Sequence, residues 1–257
     1  MTAADAAARA AALNLPAVIG HRGAAAAAPE NTLAGLRRGR TLGARWVEFD
    51  VQLSRDGRCI LLHDDTIDRT TDGRGKAAAL DFDALRQVDA GAWFAPEFKG
   101  ERIPAFEEAL ELLGELGLGA NVEIKPAAGL EDATAEATVA LLRRRWPTHL
   151  PPPLVSSFAP ASLAAAQTGA PEIRRGHLFG RLPADWRRRA EALGCVTIHC
   201  DHRHLRRTQA DEVRAAGFPL LVYTVNDPAR ALELAGWGVD SVFTDCPDRI
   251  IAALARR

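Results

Sequence analysis

Lysine is nearly missing from this 257-residue sequence: of its 32 basic residues, only Lys76, Lys99 and Lys125 are lysine. The excess of arginine and alanine reads as genome composition, so a lysine at a special position runs against the local habit. Cysteine is scarce as well. Cys59, Cys195, Cys200 and Cys246 form no CxxC pair, which predicts reduced thiols in a cytoplasmic protein. No apolar run reaches the roughly 18 residues of a membrane span. The opening MTAADAAARAAALNLP lacks a basic start followed by an apolar core, so it reads as a short leading helix and not as a signal peptide. Net charge is −1, which leaves no long-range field to draw the chain to nucleic acid or to an acidic membrane. The GxGxxG of a dinucleotide-binding turn is absent after the first apolar segment.

What the chain does have is the stretch Trp46-Val-Glu-Phe-Asp-Val-Gln-Leu53. Apolar Val47, Phe49 and Val51 alternate with Glu48, Asp50 and Gln52. Alternation with period two is a strand signal. It sets both carboxylates on one face, roughly 7 Å apart. Two acids pointing the same way repel, and neither is cheap to bury. A hard divalent cation between them is one reading; a half-exposed edge strand with a polar face is the other.

Around this stretch the order is regular. Ala17–Gly20 reads as a strand ending at His21-Arg22-Gly23, and Asn31 or Thr32 can cap a helix through Leu33, Leu36 and Arg40. Arg55-Asp-Gly57 signals a hairpin turn into a strand at Cys59–Leu62. Residues 65–103 break the rhythm with Gly, Asp and Arg and one short helical pattern near 82–88. A loop this long inside a compact domain is usually functional. From Phe106 onward helices and strands alternate to the end of the chain, with strands near 120–124, 154–157, 173–178, 196–199, 220–225 and 241–243. Counting the first strand and leaving out the hairpin extension gives eight βα units. That number and length predict an α/β chain folded as one (β/α)₈ TIM barrel over 1–257, with a cap insertion at about 65–103 after the second strand. A doubly wound open sheet is the runner-up.

In such a barrel the C-terminal strand ends face the active site. Those ends carry His21-Arg22, Glu48, Asp50, His63, Glu123-Lys125, Ser156-Ser157, His177, His199, Tyr223 and Thr244-Asp245. A third carboxylate, Glu123, lies on the strand next to Glu48 and Asp50, and three converging acids strengthen the metal reading. His21 and His63 flank these acids, and a pair of histidines beside a metal suggests one base and one acid. Arg22 offers a bidentate fork to a phosphate, and Lys125 a point charge. Metal, two cations and two histidines together describe phosphoryl chemistry.

These segments also resemble a known family. HRG…PENT, EFDVQLSRDG, LLHDDTIDRTTDG and VEIKP occur in that order, as in the glycerophosphodiester phosphodiesterases. LGCVTIHCDH, LVYTVNDP and WGVDSVFTD resemble the small cytosolic bacterial branch, so the resemblance runs from about Val18 to Asp245. It implies a TIM barrel with a cap over its mouth and a divalent metal, Mg²⁺ first and Ca²⁺ as the alternative. The ligands would be Glu48, Asp50 and Glu123. His21 and His63 would be the acid/base pair, and Arg22 and Lys125 would hold the phosphate. Tyr223 stands where many relatives have Trp, which bears on contact with the glycerol moiety. The run Ala24–Ala28 also departs from the family pattern.

The activity this implies is hydrolysis of glycerophosphodiesters, deacylated phospholipids, to sn-glycerol 3-phosphate and an alcohol. A lysophospholipase D or other phospholipase-like barrel is one alternative, and a catalytically silent barrel that binds phosphorylated ligands is another. Neither a nucleic acid nor a membrane is an expected partner, and the oligomeric state is not set. Asp64 reads as orienting His63. His177 and His199 line the pocket or serve structure; His149, His202 and His204 read as solvated. Cys195 and Cys200 read as core residues, Trp237 as packing, and Arg187–Arg189 as helix surface.

Overall fold

The strand at the centre of the sequence pattern is buried along its whole length. In the computed structural model, which describes residues 12–256, β1 (Val18–Gly20) and β2 (Trp46–Leu53) pair in parallel. β2 also pairs in parallel with β4 (Gly119–Ile124) and antiparallel with the short β3 (Cys59–Leu61). The half-exposed edge strand is thereby replaced by a central one. Five further strands follow in parallel order: β5 (Leu154–Ser157), β6 (Arg174–Phe179), β7 (Thr197–Asp201), β8 (Leu220–Tyr223) and β9 (Ser241–Thr244). β9 returns to β1, with Gly20 opposite Thr244. The sheet is closed into an eight-stranded parallel barrel, and β3 is a hairpin extension outside that ring.

Helices join successive strands. They are α1 (Leu33–Thr41), α2 (Phe82–Leu85), α3 (Phe106–Leu116), α4 (Glu131–Arg145), α5 (Pro160–Gly169), α6 (Trp186–Ala192), α7 (Arg207–Ala215), α8 (Pro228–Gly236) and α9 (Pro247–Leu254). The expected boundaries of the barrel strands and helices hold within about two residues, and the helical pattern expected near 82–88 ends at Leu85. The leading helix expected within 1–16 lies largely outside the described residues. No helix among the described residues is long and apolar enough to cross a membrane.

The alternation of β2 sorts its side chains. Val47, Phe49 and Val51 join the layer between sheet and helices with Phe106, Leu110 and Val139, and the Phe49 and Phe106 rings meet edge to face. Trp46, Glu48, Asp50 and Gln52 therefore point inside the barrel. Trp46, with Ile19, Leu154, Leu221 and Phe243, plugs the barrel interior, and the acids sit above this plug. Two and four residues along β2 carry the chain from Trp46 to Glu48 and Asp50, so an apolar floor supports a charged site.

The insertion between β3 and α3 contains two short 3₁₀ turns and α2. It has an apolar cluster of its own, in which Ile67, Ala77, Leu85, Ala90 and Ile103 pack on Ile60 and Leu62. Its backbone is also tied to the barrel, because the Arg55 amide donates to Leu80 and the Leu61 amide to Pro104. The cap is thus a packed element with a fixed seat.

Gly119 opens β4 directly against the plug, where an added Cβ would collide with the Trp46 indole. Trp46 is 2% exposed and has no room to move aside. Overpacking of this kind costs roughly 1–3 kcal/mol. Gly119→Ala is expected to lower the midpoint of urea unfolding by that amount at unchanged slope, whereas Gly180→Ala, where a Cβ meets no atom, is expected to leave the midpoint nearly in place.

Candidate active site

Strand register brings the three expected carboxylates together. Glu48 and Asp50 are two residues apart on β2, and Asp50 lies opposite Glu123 on β4. One oxygen from each of the three lies within 4.8 Å of the others. Glu48 and Asp50 are buried, at 4% and 1% exposure. The barrel wall keeps water from screening them, so their repulsion is felt. Burial, then the negative charges of Asp50 and Glu123, pushes Glu48 well above the ordinary carboxyl range. Burial and Asp50 push Glu123 up to about 8. Asp50 alone goes down: its burial is outweighed by Arg22, Lys125 and His63 and by the Asn31 hydrogen bond. A set of fixed, desolvated oxygen donors that holds protons in the absence of a cation is suited to a hard divalent ion.

The protein meets this charge with two cations and two strained backbone positions. Lys125 Nζ lies 3.5 Å from Asp50 and 3.7 Å from Glu123. Arg22 Nε lies 3.4 Å from Asp50. Arg22 has φ +49°, in the left-handed region that costs a non-glycine residue about 1 kcal/mol or more. In that conformation its amide donates to Glu48 Oε2 at 3.0 Å. Asn31, at φ +55°, donates from Nδ2 to Asp50 Oδ2 at 2.9 Å and accepts the Asp50 amide on Oδ1 at 3.1 Å. Asn31 and Thr32 are the two alternative caps for α1. Thr32 performs that role by accepting the Gly35 amide, and Asn31 is a buried clamp on Asp50.

Each histidine is paired with an aspartate. His21 extends from β1 and donates from Nδ1 to Asp245 Oδ1 at 2.6 Å. Asn226 donates to the other oxygen of Asp245 at 2.6 Å. His63 follows β3 and donates from Nδ1 to Asp64 Oδ1 at 2.6 Å. Gln52, two residues past Asp50, holds this segment by donating to the Leu62 and Asp64 carbonyls. One strand therefore supplies two acids and the residue that seats His63. In both dyads Nδ1 is committed, which leaves Nε2 without a hydrogen bond, that of His21 lying 3.9 Å from Glu48 Oε2. Burial, helped by Arg22 and Lys125 against the pull of Asp50, holds His63 below the ordinary imidazole value.

His21, Arg22, Glu48, His63, Glu123, Lys125 and Tyr223 line one cavity of about 140 Å³, together with Asn121, Phe158 and Leu178. Asp50 lies behind them, against Lys125 and Arg22. The Tyr223 hydroxyl donates to the Phe179 carbonyl at 2.9 Å, and its ring meets Phe158 edge to face. His177 and His199 do not line this cavity: His177 stacks on Phe179, and His199 lies against Thr197 and Phe243 inside the barrel. Ser157 donates its hydroxyl to the Ile124 carbonyl, and Ser156 accepts from Asn121. All four cysteines are buried and unpaired with one another, and burial pushes Cys59, Cys195 and Cys200 up to about 12. His202, expected to be solvated, instead takes Arg230 against its carbonyl and ring, and Trp237 packs under that same guanidinium. Arg187–Arg189 pair with Asp185 and Glu191 on the helix surface, as expected.

The family of the chain follows from comparison with known sequences. The model described as the glycerophosphoryl diester phosphodiesterase family matches residues 21–249. The chain belongs to the glycerophosphoryl diester phosphodiesterase family. It is an enzyme, a phosphoric diester hydrolase, as the sequence motifs implied. Within that family it is 32% identical over 236 residues to the glycerophosphodiester phosphodiesterase of Caldanaerobacter subterraneus, covering 91% of this chain and 96% of that relative. A phosphodiesterase from Oleispira antarctica, solved in complex with the product sn-glycerol-3-phosphate, superimposes with a TM-score of 0.92 at 42% identity over 94% of this chain and 98% of the other. A glycerophosphodiester phosphodiesterase from Agrobacterium tumefaciens gives 0.77 at 29% identity over 93% and 100% of the two chains.

Asn31, Glu30 and Phe158 have no site role in the sequence reading, and Asp245 appears there only as a strand-end residue. A strand-end acid in the last unit was visible at Asp245, but its partner His21 is 224 positions away.

The raised carboxyls set a pH dependence. Glu123 binds its proton more tightly folded, at about 8, than its ordinary value of 4.5. Metal-free protein therefore loses this contribution as pH rises between those values. A divalent ion removes the need for the proton, so the Tm increase on adding Mg²⁺ is expected to be small near pH 5 and large near pH 8. Differential scanning fluorimetry in EDTA and in Mg²⁺ measures this, and Glu123→Gln should flatten the metal-free trend. An equal Mg²⁺ effect at both pH values would contradict the account.

Proposed function

We propose that this enzyme is a divalent-metal-dependent glycerophosphodiester phosphodiesterase that releases sn-glycerol 3-phosphate and an alcohol by two-histidine acid/base catalysis. The observation that carries this reading is the convergence of two His–Asp dyads, three carboxylates, Arg22 and Lys125 on one cavity. Glu48, Asp50 and Glu123 would hold the metal, Mg²⁺ in the first instance and Ca²⁺ as the alternative. Bound there, a hard divalent ion supplies charge neutralisation at the phosphoryl group and lowers the pKa of a nearby hydroxyl.

The other roles belong to the chain. Arg22 and Lys125 bind the phosphate oxygens, the first as a fork and the second as a point charge. The ring of Tyr223, whose hydroxyl is committed to Phe179, packs on the glycerol carbons. Ser156 and Ser157 at the mouth are hydrogen-bonded, and the cysteines are buried. A covalent enzyme intermediate is therefore not part of the proposal. Attack comes from the 2-hydroxyl of glycerol, held close to phosphorus by the substrate itself. His63, neutral at pH 7, accepts the proton of that hydroxyl as its oxygen bonds to phosphorus. His21, held through Nδ1 by Asp245, protonates the departing alcohol as its bond to phosphorus breaks. The 1,2-cyclic phosphate that results is opened by water with the two histidines in reversed roles. Only the glycerol side takes part in chemistry, so the alcohol can vary. The substrate partner is a small molecule; the enzyme would act in the cytoplasm, and neither membrane nor nucleic acid enters the reaction.

EDTA is expected to abolish turnover of glycerophosphoethanolamine, and Mg²⁺ to restore it; full activity after exhaustive chelation would end the metal reading. A positioned acid or base contributes roughly 10² to 10⁴ in rate. His21→Ala and His63→Ala should each lose kcat on that scale with the fold intact, and the double variant should lose less than the product of the two. A substrate with hydrogen in place of the glycerol 2-hydroxyl should bind but hardly turn over. Its cleavage at the natural rate would show direct attack by water.

A further inference from the structure

Arg69 belongs to the cap and is not among the side chains that line the catalytic cavity. Its guanidinium nevertheless holds two carboxylates at once. Nε donates to Asp64 Oδ2 at 2.6 Å and Nη2 to Asp64 Oδ1 at 3.2 Å. Nη1 donates to Glu30 Oε2 at 2.8 Å and Nη2 to Glu30 Oε1 at 2.7 Å. Each carboxylate in turn holds a site residue. Asp64 Oδ1 accepts from His63 Nδ1, and Glu30 Oε1 accepts from Arg22 Nη1 at 2.7 Å. The chain of contacts therefore runs His63, Asp64, Arg69, Glu30, Arg22.

We propose that Arg69 is a positioning residue of the reaction: through Asp64 it orients His63, and through Glu30 it orients Arg22, so that the proton-transfer group and the phosphate-binding group form one rigid unit. This deepens the function proposed above and rests on it. Only a guanidinium presents two donor edges to two carboxylates in one plane. On the Asp64 side, Arg69 holds the carboxylate ionised and aimed at Nδ1, which leaves Nε2 of His63 facing the cavity. On the Glu30 side, it fixes the carboxylate that draws Nη1 of Arg22 away from the metal-binding acids, so that Nε of Arg22 stays beside Asp50.

A tie for the cap alone would not need this arrangement. The cap already has its apolar cluster and a second arginine pair, Arg55 to Asp81. Exposed ion pairs add little stability by themselves. Arg69 is also seated from behind. Ile67, two residues earlier, is buried in the cap cluster, Thr70 is buried beside it, and the Thr71 hydroxyl donates to the Ile67 carbonyl at 2.6 Å. The cap core thereby fixes where the guanidinium arrives.

The test is a kinetic cycle on glycerophosphoethanolamine with metal present. Loss of a group that orients an active-site side chain costs roughly 10- to 100-fold. Arg69→Ala is expected to lower kcat on that scale through His63 and to raise KM through Arg22. In an Asp64→Asn background the same substitution should keep its effect on KM and lose its effect on kcat. In a Glu30→Gln background it should keep the effect on kcat and lose that on KM. Arg69→Lys, which keeps the charge but not the double fork, should fall between wild type and Arg69→Ala, and it carries the test if the alanine variant does not fold. Arg55→Ala breaks the other cap tie and should leave both constants near wild type. Undiminished kcat loss in the Asp64→Asn background, or an equal loss in Arg55→Ala, would overturn the proposal. Absence of turnover by the wild-type enzyme would instead count against the proposed function itself.

Discussion

Three carboxylates confined in a barrel mouth with little water set the terms for everything around them. Glu48, Asp50 and Glu123 cannot all ionise there unless something positive stands beside them. The local sequence answers this constraint at several positions. Lys125 is one of three lysines in the chain and reaches two of the acids. Arg22 and Asn31 take left-handed backbone conformations, and each directs hydrogen-bond donors at an acid. Strain at both positions is offset by charge-assisted hydrogen bonds, which are the stronger kind. The Trp46 plug supports this assembly from below, because a charged layer needs a dry, rigid floor to hold its geometry.

The two His–Asp dyads look alike in distance and differ in surroundings. Asp245 is backed by the neutral amide of Asn226, whereas Asp64 is backed by the cationic Arg69. The carboxylate facing His21 therefore keeps more of its negative charge available to the imidazole than the one facing His63. Arg22 and Lys125 add to the positive field at His63. Two chemically identical side chains thus sit in different electrostatic surroundings, one backed by a neutral amide and the other by cations.

The cap follows from the same logic. It is rich in charge, yet its packing rests on Ile67, Leu85 and Ile103. Its apolar cluster holds the backbone of a segment whose polar side chains must arrive at fixed points of the mouth. A loop with the same charges and no apolar cluster would pay the ordering entropy of each side chain at the site.

Period-two alternation in β2 and the spacing of strand ends along the chain were enough to bring Glu48, Asp50, Glu123, His21, Arg22, Lys125 and Tyr223 to the mouth, because inward position and distance from the barrel floor are local properties of a strand; His63 arrives by the hairpin extension after β2. The lone lysine after Glu123 stood out by composition alone. Residues whose role depends on ring closure or on a turn away from regular geometry were not legible. Asp245 meets His21 only because β9 hydrogen-bonds to β1, a contact between the two ends of the fold. Asn31 reads as a helix cap because capping residues and carboxylate clamps use the same side-chain amide, and only its left-handed φ and the nearness of Asp50 separate the two. His177 and His199 share the strand-end signal of His21, yet His177 alternates with the inward Gly176 and Leu178 and stacks on Phe179, and His199 is held inside the barrel against Thr197 and Phe243. Sequence by itself determined the architecture, the family and which side chains meet at the barrel mouth, since these rest on periodicity and short motifs. Tertiary structure decided which aspartate serves which histidine and how Arg69 joins the site, since those pairings are set by side chains that meet across the barrel and the cap.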